Sequence, residues 1–231
     1  MAESVELHIK ELTETAQRQK MFIGAVSHEF KTPLTAIILD ADTLRNTCLT
    51  EDEQFEMLCD VKTQAEWLER LSQKMLKLLT IGSQVEKAAV NAGSLLKQLR
   101  ASTESVLAKR GLTLEVLNEA DYIFADEDLM LPALINLVDN ASKASDSGQK
   151  ITVHAYGNVI EIKDCGCGIS SEALAHITEP FYMADRSRSK QNGGVGLGLA
   201  IVKEIVQAHG AELQVDSLPE QGSTFKIVFP R

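Results

Sequence analysis

The sequence has few of the features that mark secreted or membrane-spanning proteins. Its four cysteines, Cys48, Cys59, Cys165 and Cys167, do not have the spacing of a disulfide framework, and the start Met-Ala-Glu-Ser has neither the basic nor the apolar part of a signal peptide. No run approaches the roughly 18 apolar residues of a membrane span. We therefore expect a cytoplasmic segment without membrane contact of its own. It belongs either to a soluble protein or to a receptor anchored in the plasma membrane, and we favour a piece of such a receptor.

Positive charge is also in deficit. The chain has 23 Lys and Arg against 33 Asp and Glu, a formal charge of -10. Binding to nucleic acid or to an anionic membrane depends on clustered basic residues, so neither is expected as the main partner. A hydrophobic share of 44% in 231 residues is typical of a soluble globular protein and allows two small domains.

Residues 1–82 predict two long amphipathic helices. Apolar residues recur every three or four positions from Ile23 to Leu44 and again from Phe55 to Leu79, and Thr50 with Glu53 forms a capping box between them. One helical hairpin cannot bury both apolar stripes well. Pairing with a second copy, which gives a homodimeric four-helix bundle, is therefore predicted.

Shorter alternating elements follow residues 83–88, which we interpret as a hinge. The pattern first predicts a helix containing Leu95, Leu96, Leu99 and Val106, then strands at 112–117 and 122–124 and a helix at 126–147. It next predicts a hairpin at 151–156 and 159–163, a helix at 196–209 and strands at 212–216 and 224–229. This order favours an α/β sandwich with a mixed sheet at 89–231. The predicted fold class of the whole chain is α+β.

His28 lies on the exposed face of the first predicted helix. At about 100° per residue it points roughly 165° away from the apolar stripe, while Thr32 shares its face and Glu29 lies on its flank. An exposed histidine on a long helix is often ordinary surface. Pro33 favours a local function instead, because a proline inside a helix usually costs about 3 kcal/mol.

The string from Ser27 to Thr35, S-H-E-F-K-T-P-L-T, resembles the H box of sensor histidine kinases. The resemblance implies that His28 accepts the γ-phosphoryl group through one ring nitrogen, while Glu29 takes or holds the proton on the other. Neutral imidazole is nucleophilic near pH 7. The H-E-x-x-T pattern also implies that Thr32 helps remove phosphate from a partner, although a threonine there can instead bond back to a helix carbonyl.

A second polar group lies on the helix predicted from Asp126. Asn136, Asn140 and Lys143 share the face opposite an apolar one formed by Leu131, Leu134, Leu137, Val138 and Ala141. Such a face is common on any helix, but amide oxygens suit Mg²⁺. The string N-L-V-D-N-A-S-K resembles the N box of the gyrase, chaperone and histidine kinase ATPase superfamily. It implies that Asn140 binds Mg²⁺, Asn136 lies beside the phosphates and Lys143 contacts them.

The segment Asp164-Cys165-Gly166-Cys167-Gly168 follows at the spacing of that superfamily's first glycine box. Alone, the pattern mostly marks a turn. The resemblance implies that Asp164 accepts a hydrogen bond from the adenine amino group, with Gly166 and Gly168 allowing the backbone to approach the base. The two cysteines depart from the family pattern in detail. A metal or redox site is the alternative, but no second Cys or His pair lies at zinc-site spacing.

Gly193 to Leu199 opens the next predicted helix, where free N–H groups and the helix dipole favour phosphate. The segment resembles the second glycine box, with Val195 in place of a frequent Thr or Ser, and implies contacts from Gly194, Gly196, Gly198 and Leu199. Glu179 to Tyr182 resembles the F box and implies that Phe181 and Tyr182 belong to the site. Residues 185–193 are interpreted as a mobile lid, whose Arg186, Arg188 and Lys190 either neutralise phosphate or are ordinary solvated charges.

The order of the H, N, first glycine, F and second glycine boxes, from about Met21 onward, resembles a two-component sensor histidine kinase. It implies a Bergerat-type ATP-binding sandwich, ATP and Mg²⁺ as cofactors, phosphorylation of His28 and transfer to an aspartate of a response regulator receiver domain, with phosphatase activity toward it. Two alternatives remain. A chaperone- or gyrase-like ATPase is opposed by the H box and by Asn136, where such ATPases carry a Glu base. A non-enzymatic dimeric scaffold is opposed by the presence of every box.

Overall fold

Two compact units make up the chain in the computed structural model, which describes residues 2–81, 85–183 and 196–230. The first unit is Met1–Gln73 and the second is Lys74–Arg231. This division falls inside the second helix, nine residues before the predicted boundary after residue 82. The predicted boundary itself adjoins residues outside the described ranges, so it remains a prediction.

The N-terminal part consists of two helices joined by a short turn, as predicted. Helix α1 is Ala2–Asn46 and helix α2 is Glu51–Thr80. The capping box is confirmed, because the Glu53 carboxylate accepts hydrogen bonds from the Thr50 N–H and hydroxyl, both at 2.8 Å. These two bonds, the N–H first, hold the pKa of Glu53 below its ordinary value. Within the described ranges, no helix has the length and apolar character needed to cross a membrane.

The second unit alternates strands and helices. Its elements are β1 Ala88–Asn91, α3 Ala92–Lys109, β2 Thr113–Asn118, β3 Tyr122–Ala125, α4 Glu127–Ala144, β4 Lys150–Tyr156, β5 Val159–Lys163, α5 Ser171–Leu174, α6 Gly198–Ala208, β6 Glu212–Ser217 and β7 Ser223–Val228.

The predicted mixed sheet is confirmed. Five strands pair in the order β2-β4-β5-β7-β6, with β2 and β4 parallel and the other neighbours antiparallel. Along β4 the side chains of Ile151, Val153 and Ala155 are buried, whereas the alternating ones are partly exposed. Because side chains alternate across a strand, one face of the sheet forms the core and the other meets solvent.

Several elements differ from the predictions. Strand β1 and the short helix α5 were not predicted, since four residues carry too little periodicity; β1 forms by pairing with β3 in a separate two-stranded sheet. Val106, one of the apolar residues whose spacing predicts α3, is 47% exposed, and its neighbour Leu107 is buried instead. Helix α4 ends at Ala144 rather than near residue 147, because the backbone of Ser145 is extended, with φ of −94° and ψ of 149°.

The C-terminal part of the predicted hinge is attached to the second unit. The Glu86 N–H donates to Asp126 Oδ2 at 3.0 Å, and Lys87 Nζ donates to the His209 carbonyl at 2.8 Å. Ala88 is already in β1, paired with Ala125. Residues 86–88 are thus not a free linker, while residues 83 and 84 of the predicted hinge lie outside the described residues.

Candidate functional site

His28 is presented to solvent by α1, as predicted. Its side chain is 76% exposed, and its Nδ1 lies 3.6 Å from Glu29 Oε1, while the Glu29 side chain is only 23% exposed. The carboxylate is therefore held against the helix beside one ring nitrogen. The other ring nitrogen, Nε2, points away from Glu29. This geometry suits an imidazole whose proton is kept on Nδ1.

Thr32 lies one turn beyond His28, and its hydroxyl donates to the His28 carbonyl oxygen at 3.3 Å. The alternative of a bond back to a helix carbonyl is therefore what the structure shows. Pro33 follows inside the helix and is buried. Because proline has no N–H, the Glu29 carbonyl one turn earlier lacks its usual helical partner. The Thr32 side chain is still exposed, and its oxygen can accept a further hydrogen bond.

Helix α4 carries the asparagine pair. Asp126 caps its first turn, with Oδ1 accepting from the Leu129 N–H at 3.2 Å. Leu134, Leu137, Val138 and Ala141 are buried and fix the rotation of the helix. Asn136 and Asn140 consequently lie on the half-buried opposite side.

The N-terminus of α6 lies directly beside this pair. A Cβ atom placed on Gly198 would be 3.6 Å from Asn136 Oδ1 and 3.7 Å from both polar atoms of the Asn140 amide. Leu197, at the N-cap position, makes no side-chain capping bond. The first turn of α6 therefore lies beside the two amides and has no side-chain cap. Free N–H groups at a helix N-terminus bind anions, and amide oxygens bind Mg²⁺. The residues present fit a Mg²⁺-bound phosphate group.

Lys143 has a different partner from the one expected. Its Nζ lies 2.6 Å from Asp139 Oδ2, and the side chain is only 22% exposed. The lysine is one turn beyond Asn140 but is held by a carboxylate of its own helix. Contact between Lys143 and phosphate remains a prediction, which requires the ammonium group to exchange Asp139 for a nucleotide oxygen.

Asp164 is a buried carboxylate at the end of β5, with 2% of its surface exposed. Oδ1 accepts hydrogen bonds from the Gly166 N–H at 2.9 Å and the Ser223 N–H at 3.2 Å. Burial raises the pKa of Asp164, and the two N–H groups oppose that rise without cancelling it. One oxygen is thus fixed by the backbone, and within the described residues no hydrogen bond reaches Oδ2.

The glycines after Asp164 are required by close backbone packing. A Cβ on Gly166 would overlap the Ala144 carbonyl, and one on Gly168, where φ is +66°, would overlap the Leu218 carbonyl. The Cys167 N–H also donates to the Ala144 carbonyl at 3.0 Å. The loop is therefore held against the C-terminal end of α4, one turn beyond Asn140. Cys165 and Cys167 are exposed, and no third metal-ligating side chain joins them in the described part of the chain.

Phe181 and Gly196 meet on either side of the segment that the structure does not describe. The Phe181 N–H donates to the Gly196 carbonyl at 2.8 Å, and both residues have positive φ, 67° and 72°. A Cβ on Gly196 would lie 2.8 Å from Phe181 Cα. Tyr182 and Leu199 are half-buried nearby in the sequence. Gly194 and the predicted lid at 185–193, including its basic residues, lie outside the described residues.

Two family models match the two parts of the chain. Residues 18–84 match the "His Kinase A (phospho-acceptor) domain" model, and residues 125–231 match the "Histidine kinase-, DNA gyrase B-, and HSP90-like ATPase" model. The chain belongs to the sensor histidine kinase family. Its C-terminal part is accordingly an ATP-binding domain of this superfamily.

The relatives of this chain include a curated sensor protein. Sensor histidine kinase YkoH of Bacillus subtilis is 31% identical over 225 residues, which is 94% of this chain and 49% of the relative. The histidine kinase segment therefore spans about half the length of this relative.

Two solved histidine kinase structures share the fold. The structure of ThkA in complex with response regulator protein TrrA has a TM-score of 0.73, with 22% identity, and the match covers 95% of this chain and 66% of that one. Full-length ShkA in complex with AMPPNP has a TM-score of 0.64 and 26% identity, and the match covers 93% of this chain and 45% of that one.

The sequence did not predict the residues at the start of β7 that hold Asp164 in place. The Asp164 N–H donates to the Ser223 carbonyl, and the Ser223 N–H returns a bond to the carboxylate. Gly222, with φ of +84°, leaves room for the Asp164 carbonyl, which any Cβ there would overlap. The signal was the turn P-E-Q-G-S after β6, which predicts a tight connection but not its contact with a loop more than 50 residues earlier.

Proposed function

We propose that this chain is an ATP-dependent histidine autokinase that phosphorylates His28 and passes the phosphoryl group to an aspartate of a response regulator. The observation that carries the proposal is the pairing of two sites in one chain: an exposed His28 beside Glu29, and an uncapped helix end beside Asn136 and Asn140. The first supplies a nucleophile. The second supplies groups that fit a Mg²⁺-bound phosphate.

The chemistry assigns a role to each atom at His28. The ring nitrogen away from Glu29, Nε2, attacks the γ-phosphorus of ATP; a P–N bond forms, the bond to the bridging oxygen breaks, and ADP leaves. The positive charge that develops on the ring is stabilised by the Glu29 carboxylate near Nδ1, 3.6 Å away. Phosphoryl transfer needs little covalent chemistry from the protein, so alignment and charge neutralisation supply most of the catalysis.

The nucleotide is held by contacts at its two ends. Asp164 accepts a hydrogen bond from the adenine amino group through Oδ2, while the α6 N–H groups beside Gly198 and the Asn136 amide bind the phosphates. Asn140 is proposed as the protein ligand of Mg²⁺, which neutralises charge on the phosphate oxygens when bound. The binding of AMPPNP by ShkA, a 26% identical structure, supports a nucleotide of this class.

A homodimer is proposed because the helices leave large apolar side chains uncovered in a single chain. Ile23 and Leu34 on α1 are 63% and 51% exposed, and Phe55 and Leu58 on α2 are 69% and 57% exposed. A second copy would bury these side chains in a four-helix bundle. The partner for phosphotransfer is proposed to be a receiver domain, since ThkA, which shares the fold, is found with the response regulator protein TrrA.

Incubation with γ-labelled ATP and Mg²⁺ tests the proposal. The expected result is label on the protein that is stable to base, labile to acid and lost in His28→Gln. His154→Gln is the matched control, because His154 lies on β4 of the ATP-binding unit and should keep full labelling. Full labelling of the His28 variant, release of free phosphate alone, or neither product would contradict the autokinase.

Mixing two inactive variants tests the dimer and the route of transfer. A His28→Ala chain retains the nucleotide site, and an Asn140→Ala chain retains the phosphoacceptor. Label that appears only after mixing shows transfer between chains of a dimer. If mixed dimers form and stay unlabelled, transfer takes place within one chain, and if the chains remain monomeric by light scattering, the proposed bundle is wrong.

A further inference from the structure

His209 is a buried histidine that has no place in the chemistry above. It follows the last turn of α6, and only 1% of its surface is exposed. Buried imidazoles are stable when both ring nitrogens have partners. Both nitrogens of His209 have one, and each partner belongs to a different part of the fold.

The two ring contacts fix the state of the ring. Nδ1 lies 2.6 Å from the Ile205 carbonyl, which can only accept, so Nδ1 carries the hydrogen. Nε2 accepts a hydrogen bond from the Asp126 N–H at 2.9 Å. This arrangement requires the neutral ring with its proton on Nδ1. The ring thereby links the end of α6 to the N-cap of α4.

The backbone of His209 is fixed as well. Its carbonyl accepts from Lys87 Nζ at 2.8 Å, and its N–H bonds to the carbonyls of the last turn of α6. Asp126 in turn accepts from the Glu86 N–H. Residues 86 and 87, the start of α4 and the end of α6 are therefore joined by hydrogen bonds around His209.

The same two helices also meet at the nucleotide end of the site. Gly198 at the start of α6 lies against Asn136 and Asn140 of α4. Ten residues separate Asp126 from Asn136 and eleven separate Gly198 from His209, which at 1.5 Å per residue gives about 15 and about 16 Å. The two helices are thus antiparallel. They contact each other at two points, His209 with Asp126 and Gly198 with Asn136, and the distance between these points is nearly the same along each helix. A shift at the His209 end is therefore expected to change how Gly198 lies against Asn136 and Asn140.

We propose that His209 is a positioning residue for the phosphate end of the nucleotide site: its bond to the Asp126 N–H sets how α4 and α6 lie against each other. The inference rests on the proposed function, because it presumes that Mg²⁺-ATP binds between Asn140 and the α6 N-terminus. His209 touches neither nucleotide nor metal. Its effect on the nucleotide site is transmitted through α4 and α6.

Two amide variants separate the bond from the bulk of the ring. In His209→Asn the shorter side chain reproduces the Nδ1 donor to Ile205 but does not reach Asp126. In His209→Gln the longer side chain can place an oxygen where Nε2 lies and accept from the Asp126 N–H. Only the first variant should therefore release α4 from α6.

Calorimetry with the whole chain is the test, with Mg²⁺-AMPPNP and adenosine as the two probes. We expect His209→Asn to bind Mg²⁺-AMPPNP roughly twofold to thirtyfold more weakly, the range of effects for residues that act from a distance. The stoichiometry and the affinity for adenosine should be unchanged, since adenosine engages only the Asp164 end. His209→Gln should bind both probes as the wild-type protein does.

A purely structural role gives a different result. Loss of folded protein would lower the stoichiometry for both probes and leave the affinity of the remaining fraction unchanged, which overturns the proposal. So does a folded His209→Gln protein that binds Mg²⁺-AMPPNP as weakly as His209→Asn, because the acceptor atom would then be irrelevant. If the wild-type chain bound Mg²⁺-AMPPNP no more tightly than adenosine, the proposed function would fail as well as this inference.

Discussion

Replacing Asp164 by asparagine turns one buried carboxylate oxygen into an NH2 group with almost no change in volume. The amide oxygen can still accept from the Gly166 and Ser223 N–H groups, which are 2.9 and 3.2 Å from Oδ1 in the structure. The NH2 group then occupies the position of Oδ2. There it would face the amino group of adenine, so that two donors meet with no acceptor between them.

The cost for binding follows from that arrangement. A lost hydrogen bond with an unpaired donor in a buried site costs about 1 to 3 kcal/mol, which corresponds to a roughly 5-fold to 150-fold weaker Kd for ATP. Guanine carries a carbonyl where adenine carries its amino group, so the same NH2 should now donate to GTP. The ratio of the GTP Kd to the ATP Kd should therefore fall in Asp164→Asn.

Stability should change in the opposite direction. Because burial raises the pKa of Asp164 in the folded state, the ionised carboxylate costs stability at neutral pH. That cost is complete above the folded pKa and disappears as the pH falls through it toward the ordinary value of 3.8. Asp164→Asn should thus be at least as stable as the wild-type protein at pH 7, with the difference vanishing in acid.

Calorimetry with ATP and GTP, together with urea unfolding at several pH values, checks both effects. Asp146→Asn is the matched control, since it removes one carboxylate from an exposed position and should change neither. Wild-type ATP affinity in Asp164→Asn with an unchanged GTP ratio would show that the adenine pocket lies elsewhere. Lower stability at pH 7 would refute the reasoning from burial.

Three further variants test the other assignments. Asn140→Ala should lose Mg²⁺-dependent ATP binding but keep adenosine binding, as measured by calorimetry with and without Mg²⁺. If the variant still bound ATP more tightly with Mg²⁺ than without it, the metal role of Asn140 would be contradicted. Thr32→Ala should keep phosphorylation and transfer yet lose ADP-stimulated dephosphorylation of the receiver domain, whereas unchanged dephosphorylation would limit Thr32 to its bond with a helix carbonyl. Thr50→Ala should destabilise α2 by about 1 kcal/mol in urea unfolding, and the difference should shrink as acid protonates Glu53, whose pKa is lowered by Thr50; a constant difference would argue against the capping box.

The long elements are predictable from the sequence because their patterns are strong. The apolar stripes of α1 and α4 repeat over many turns, and the exposure of His28 on the opposite face follows directly from helical spacing. The hairpin of β4 and β5 is equally clear from Gly157 and Asn158 between two apolar runs. These features depend on local sequence, and each can therefore be predicted from a short stretch of residues.

The remaining features depend on contacts between distant segments. Nothing in the string A-A-V-N predicts that β1 pairs with β3, and nothing near Asp164 indicates that Ser223 bonds to it. By its sequence, His209 is one more histidine at a helix end. Its burial is visible only when Asp126 and Lys87 are brought to it by the fold. Partners of buried polar groups are the part of a site that a single sequence hides.

The elements that precede residue 125 determine where this chain can be cut and joined to another. The ATPase model begins to match at residue 125, but β1, α3 and β2 precede that point, and α3 buries Leu95, Leu96 and Leu99. A fragment begun at residue 125 would lack an edge strand of the main sheet and a core helix. A chimera that takes foreign sequence up to residue 85 and keeps this chain from Glu86 onward would retain both, together with the bonds to Asp126 and His209.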